Sequence, residues 1–379
     1  MTPHPAVQDT VLVKANPQQY HQSLVNQHPS WGTGFTLDQF IDREHKLLET
    51  GMGKQMQCWV LVPKDDTSTS DILCSCETYK RSILWIERAA TPVIDAVGYS
   101  VASVFTPPNN RGKGYAQHMM TTLHSKFKSS HHHHHHHHQN DDHHKPEQDD
   151  DDDAVVSFLY SDVGDFYSRA GPPGWHIQGI KTTVWQVDTY PSNDTTLPND
   201  NHSIQPITQA DFSRIANKDA QLMKQELSKS NSFPSFATLP WQGSYDWQIT
   251  KAITYARSND LNPPTEWGFQ LVDNQNESEE LNFIIYNFEL KRKTMKILRI
   301  RSTSSKKFEI LLDQIVSIAL EFGVERIIAW NVDDELLKGI NDISKRGNTA
   351  DRKDSLSALA EYVGEGEINW KFNEAYAWC

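Results

Sequence analysis

Apolar residues recur along the first 128 positions with two different periods, and the switches between them mark out the elements. TVLVKA (10–15), QMQCWVLVP (55–63), DILCSCETYKRSILWI (71–86) and DAVGYSVASVFTPP (95–108) are rich in β-branched and aromatic residues. They predict strands, the last broken by two prolines that cannot donate to a ladder. PQQYHQSLVNQH (17–28) and TLDQFIDREHKLLETG (36–51) carry the helical period; Thr36 with Gln39 three residues on has the spacing of a capping box. A glycine turn then leads into a third helix, YAQHMMTTLHSKFK (115–128). AVVSFLYSDV (154–163) returns as strand, GDFYSRAG (164–171) as a short helix closed by Gly171, and WHIQGIKTTVWQVD (175–188) as a final strand.

Two polar stretches interrupt this rhythm. Residues 129–153 hold eight consecutive histidines and an aspartate run, too polar to offset the entropy of ordering, so they predict a disordered insertion in a loop. TYPSNDTTLPNDNHS (189–203) reads as a linker. Helices at 207–229 and 245–258 follow, then three strands (265–273, 281–290, 294–302), a helix (307–323) and a strand (324–330). That order repeats the order around the glycine turn. The expected organisation is therefore a first domain over 1–188, a linker over 189–203 and a second α+β domain over 204–379 that reads as a worn copy of the first.

Composition narrows the function classes. The net charge is −13; the 129–153 tract contributes −7 of it, from eight acids against one lysine, and leaves −6 for the rest. A mildly acidic body argues against a nucleic-acid partner and suits a cationic substrate. No window approaches the ~20 apolar residues of a membrane span and no signal-peptide pattern opens the chain, so a cytoplasmic protein without a membrane partner is expected. Four cysteines (Cys58, Cys74, Cys76, Cys379) are too few for a disulfide framework. Cys74 and Cys76 share one face of a strand and have no second pair to complete a zinc site, so they read as core. The histidine tract fixes no metal geometry, and no metal is expected.

The turn NNRGKGYAQHMM (109–120) carries the candidate chemistry. A strand that enters a glycine turn opening a helix offers free backbone N–H groups at the positive end of the helix dipole, which is an anion cradle. The P-loop pattern fails because Lys113 precedes the second glycine; the dinucleotide fingerprint fails because its third glycine would fall on Gln117. Arg111-Gly112-Lys113-Gly114-Tyr115-Ala116 does match [QR]-x-x-G-x-[GA], the pyrophosphate loop of the GCN5-related N-acetyltransferase (GNAT) superfamily, and FYSRAG (166–171) resembles that superfamily's later F/L-Y-x-x-x-G-F motif, with Pro172 in place of the usual Phe.

This resemblance implies an acyl-CoA N-acyltransferase fold on a mixed sheet, with acetyl-CoA as co-substrate and direct attack by an amine. It implies the diphosphate on the amides of Gly112 to Ala116 with charge from Arg111 and Lys113, and Phe166 nearby. It implies pantetheine along Val104, Phe105 and Thr106, and Tyr167 as the acid that protonates the leaving thiolate; Tyr167 otherwise reads as a core aromatic. The general base has two candidates: Glu77 on the neighbouring strand, and the terminal carboxylate of Cys379, a position some two-domain relatives and the N-myristoyltransferases use. Glu77 otherwise reads as a solvent-facing strand residue, and the aromatic tail as a last strand.

CSCETYKR, YDWQ, PPTEWG and NEAYAW also resemble segments of the fungal lysine N6-acetyltransferases, which act on free lysine at the first step of its catabolism. That implies Asp246, Glu266 and Glu374 as candidates for holding ammonium groups, each otherwise a surface acid. Acetylation of protein lysines or of a polyamine or aminoglycoside, and a non-enzymatic CoA-binding regulatory module, remain open on the sequence.

Overall fold

The computed structural model describes residues 5–129, 154–172, 174–191, 202–230, 233–241, 243–273, 280–363 and 367–379. Most of the histidine-aspartate tract and of the expected linker lies outside these residues. The fold is mixed α/β on two mixed sheets. The first takes β1 (Thr10–Lys14), β2 (Met56–Pro63), β3 (Cys74–Ile86), β4 (Ile94–Phe105) and β5 (Ala154–Ser161) in chain order. Helices α1 (Pro17–Trp31) and α2 (Leu37–Glu49) join β1 to β2, and α3 (Tyr115–Ser129) joins β4 to β5. The expected capping box closes α2: Thr36 accepts from the Gln39 amide and Gln39 accepts from the Thr36 amide. Strands β1 to β4 pair antiparallel, whereas β4 and β5 are parallel, so α3 is the crossover that a parallel pair requires.

The chain continues through β6 (His176–Ile177), β7 (Lys181–Gln186), β8 (His202–Ile207), α4 (Phe212–Ser228), β9 (Ser235–Thr238) and α5 (Ser244–Ser258). Then come β10 (Gly268–Asp273), β11 (Asn282–Glu289), β12 (Thr294–Arg301), α6 (Ser305–Glu321), β13 (Arg326–Trp330), α7 (Asp334–Lys338), β14 (Asn348–Asp351), β15 (Leu356–Glu361) and β16 (Asn369–Lys371). The second sheet runs β14-β7-β13-β12-β11-β10-β8. Its β10, β11 and β12 are antiparallel and α6 crosses to a parallel β13, which repeats the pairing senses of the first half.

The halves interlock by exchanging strands. β15, from the end of the chain, lies on β5 in the first sheet; β7, from before the linker, lies on β13 in the second. The stretch 175–188, read as one strand, is therefore two strands in different sheets, separated at Gly179 with φ 60°. Alternation of apolar residues marks a strand but not the sheet it joins. Three other elements also differ from the pattern-based reading. The segment FYSR is a 3-10 turn, β8 precedes α4, and the NEAYAW tail ends in a 3-10 turn at Ala375–Ala377.

Side-chain parity along β3 decides what each half contributes. Cys74 and Cys76 point into the core under α3, beside Tyr99, Met119 and Leu123. Glu77, Tyr79 and Arg81 are on the opposite face. There Tyr79 packs against Trp247 of α5, and Arg81 donates to the carbonyl of Ala377 at 3.0 Å and to Ser244 Oγ at 3.3 Å.

Candidate active site

Strands β4 and β5 separate before either ends. Val101↔Leu159 is their last pair, yet β4 runs to Phe105 and β5, still paired to β15, to Ser161. On its other side β4 slips register against β3 between Ser75 and Glu77, and Ser103 adopts φ 52° there. This bulge turns the strand away from its neighbour. Among the described residues the edge over Ser103–Phe105 has no strand on its β5 side, so an extended chain could add to it.

The glycine turn closes one end of this gap. Gly112 and Gly114 have φ of 74° and 83°, which side chains rarely adopt; a Cβ at Gly112 would meet nothing within 4 Å, and one at Gly114 only Val7 at 3.8 Å. Among the described residues, the amides of Gly112 through Gln117 have no protein acceptor, and α3 begins at Tyr115. The result is an open cradle of N–H groups on a helix N-terminus, suited to a phosphate group.

A cavity of about 570 Å³ joins cradle and gap. Val104, Phe105, Thr106, Arg111, Gly112, Gly114, Tyr115, Ala116, Phe166 and Tyr167 all line it. Lys113 does not; its ammonium donates to the Asn109 carbonyl at 2.5 Å. Trp31 and Ser30, at the end of α1, also line the cavity, and Trp31 packs edge-on against Phe105 at 5.5 Å between ring centroids. Nothing in the α1 pattern marked them. Burial raises the Tyr167 phenol well above the ordinary tyrosine range, so it stays protonated near neutral pH and can donate a proton.

Glu77 is 3 % exposed, a buried carboxyl instead of a solvent-facing one, and lies behind the bulge. Its Oε2 accepts from Ser103 Oγ at 2.8 Å and from the Tyr79 hydroxyl at 3.0 Å. Burial pushes its pKa up to about 7 and Glu44 adds to this, while the two hydroxyls and Lys251 pull the other way. A carboxyl so placed can take or give a proton near neutrality. Cys379 packs beside Tyr79, Trp247 and Ala102, which brings the chain's last residue to the Glu77 face of the sheet. Burial raises its thiol above the ordinary range. Arg81 and Gln248 fix the carbonyls of Ala377 and Trp378, and the Tyr376 hydroxyl donates to Thr238 O at 2.5 Å.

A second cavity, also about 570 Å³, meets the first at Ser30 and Trp31, which line both. Its walls come from the second half and the α1–α2 region: Lys251 and Tyr255 of α5, Asn287 and Glu289 of β11, Lys296 of β12, and Trp378, Phe35 and Arg43. Asp246, Glu266 and Glu374, singled out in the sequence for holding ammonium groups, line neither cavity, and Glu77 and Cys379 lie behind the cavity walls without lining either. Asp246 accepts from Gln209 at 2.7 Å in a separate pocket; Glu374 accepts from Arg299 and from the Ile300 amide; Glu266 is half-buried ahead of β10. Glu374 belongs to a buried ionic network in which Arg299 and Arg301 also hold Asp219 below the usual carboxylate range against the effect of its burial. No cluster of three or more potential metal ligands occurs among the described residues, and none of their helices is long and apolar enough to cross a membrane.

With this geometry in view, residues 187–379 match the family described as the LYC1 GNAT-like C-terminal domain. The chain belongs to that family. A lysine acetyltransferase of Yarrowia lipolytica is 23% identical over 405 residues, spanning 94% of this chain and 98% of that protein. Two solved structures share the fold. A GCN5-related N-acetyltransferase from Kribbella flavida superposes with a TM-score of 0.54 at 12% identity, over 93% of this chain and 70% of that one. One from Anabaena variabilis ATCC 29413 gives 0.54 at 12%, over 93% and 73%. The LYC1-like match covers the half in which the sequence shows no glycine turn, and the first half carries the cradle and the gap.

Proposed function

We propose that this protein is an N-acetyltransferase that moves the acetyl group of acetyl-CoA to the side-chain amine of free L-lysine. The observation that carries the reading is the run of unpaired amides at Gly112 to Gln117 at one end of the gap between β4 and β5. Diphosphate fits the cradle, and pantetheine fits the unpaired edge of Val104 to Thr106. In the reaction the neutral amine attacks the thioester carbonyl, a C–N bond forms and the C–S bond breaks. Glu77 accepts the ammonium's proton, with the carboxylate of Cys379 as the second candidate, and Tyr167 protonates the departing thiolate. The neighbouring cavity takes the amine. Lysine as acceptor is favoured by the name of the Yarrowia lipolytica relative.

A polyamine acceptor is the competing reading, and it needs a predominantly acidic cavity. The second cavity instead carries Arg43, Lys251, Lys291, Arg292 and Lys296 against Asp162, Glu289 and Asp354. That balance suits an acceptor with a carboxylate of its own. Incubation with acetyl-CoA and a panel of amines, following thiol release, tests the assignment. Release with L-lysine and not with a lysine-containing peptide is expected; release with no amine, together with no binding of acetyl-CoA by calorimetry, would remove it.

A further inference from the structure

Five cations line the acceptor cavity, and their partners distinguish one of them. Lys296 pairs with Glu289, which Arg292 also approaches at 3.8 Å, and Arg43 pairs with Glu44. Lys291 is exposed. Lys251 is different. It sits on the stripe of α5 that Trp247 and Tyr255 share at helical spacing, half-buried, with its ammonium 3.4 Å from the centre of the Trp247 ring and 4.3 Å from that of Trp378. Among the described residues no carboxylate lies within ion-pair distance of it, and it has no hydrogen-bond partner.

Two indole faces stabilise a cation, but they do not neutralise it. Lys296 lies 4.5 Å from the same Trp378 ring, so two ammonium groups flank one indole, and among the described residues Glu289 is the carboxylate that pairs with Lys296 while none pairs with Lys251. Burial and the nearby Arg43 pull the Lys251 pKa down to about 7 although Glu44 and Cys379 act the other way, so the negative charge around it does not offset its burial. Such a charge beside a cavity is stabilised when a ligand brings the missing carboxylate into it.

We infer that Lys251, clamped between Trp247 and Trp378, receives the α-carboxylate of the acceptor amino acid and sets the enzyme's preference for an amino acid over a plain diamine. This rests on the acetyltransferase reading and names the specificity element of its acceptor site. The clamp explains why a lysine stands there: the rings hold the stem in one conformation, so little entropy is lost when the carboxylate arrives. It also joins the halves, since Trp247 and Lys251 come from α5 while Trp378 comes from the tail fixed by Arg81 of β3.

The test compares L-lysine with 1,5-diaminopentane, the same chain without the carboxylate, and with L-lysinamide. In the wild-type protein, kcat/KM for L-lysine exceeds that for either analogue by at least tenfold. In Lys251→Met the KM for L-lysine rises at least tenfold with kcat within threefold, the diamine is used as well as before, and Lys251→Arg recovers part of the preference. Equal use of all three amines by the wild type, or an unchanged lysine-to-diamine ratio in a folded Lys251→Met protein, overturns the inference while leaving the acetyltransferase reading intact. The wild-type comparison with L-lysinamide decides the matter even if the variant does not fold. Absence of turnover with every amine, with no acetyl-CoA bound, removes both.

Discussion

The Ser103 hydroxyl donates to the Glu77 carboxyl across 2.8 Å, from the residue whose left-handed backbone makes the bulge in β4. One irregular residue thus opens the edge where an acyl chain could lie and holds the carboxyl proposed to take the amine's proton.

That pair predicts a pH profile. As a base Glu77 must be ionised, so kcat/KM for L-lysine rises with pH along a limb of apparent pKa about 7 and levels above it. Glu77→Gln removes the limb and at least a hundredfold of the rate. Lys251 titrates in the same range and holds the Glu77 pKa down, so Lys251→Met must keep the limb, moved to higher pH. Stability moves the other way. The carboxyl's pKa is raised from 4.5 to about 7 on folding, so between these values the native state holds a proton that the unfolded chain has released. Stability contributed by the protonated form is lost as pH climbs through that window. Thermal melts should show Glu77→Gln gaining on the wild type as pH rises from 4.5 to about 7; parallel curves across that window would exclude the burial argument.

Tyr167 faces the first cavity with its phenol protonated. Tyr167→Phe should lower kcat by about 10²-fold, the usual scale for a positioned acid, with the Kd for acetyl-CoA within threefold. A loss confined to acetyl-CoA binding would make Tyr167 a packing residue.

Gly112→Val places a branched side chain at φ 74°, where non-glycine residues cost roughly 1–2 kcal/mol, and turns the cradle's amides. Titration calorimetry should give a Kd for acetyl-CoA at least tenfold weaker, with the melting temperature lowered only by the few degrees that the backbone strain costs, because no atom lies within 4 Å of the added Cβ to clash with it. Unchanged affinity would mean that the diphosphate binds elsewhere.

Glu374 accepts from the buried Arg299 and the Ile300 amide at the start of the tail. Glu374→Gln leaves Arg299 with only Asp219 and should cost about 1–3 kcal/mol, a fall of several degrees in melting temperature. If the tail positions Trp378 and Cys379 for turnover, kcat falls as well; a stability loss with full kcat would limit Glu374 to the core.

Deleting residues 129–153, read from the sequence as a loop insertion, should leave lysine turnover within about threefold, since loop length alters closure entropy only slightly. A collapse in activity would assign the histidines a part in the reaction.

The sequence by itself determined the first cavity. Glycines with no side chain, a helix opening beside them and a strand ending in prolines are local features, and a cradle of backbone amides is made within one short segment. Ten of the residues marked there do line the cavity. Cys74 and Cys76 were equally legible as core, because strand parity is local too. The second cavity was decided by tertiary structure alone. Lys251 and Trp378 are far apart in the chain, and their meeting depends on which strand joins which sheet: β7 and β15 cross between the halves, a choice that alternating apolar positions do not encode. The same long-range folding turned Glu374 inward to Arg299 and left Asp246 in a pocket of its own, so acids that fit an ammonium by residue type lie away from the cavity where one is expected.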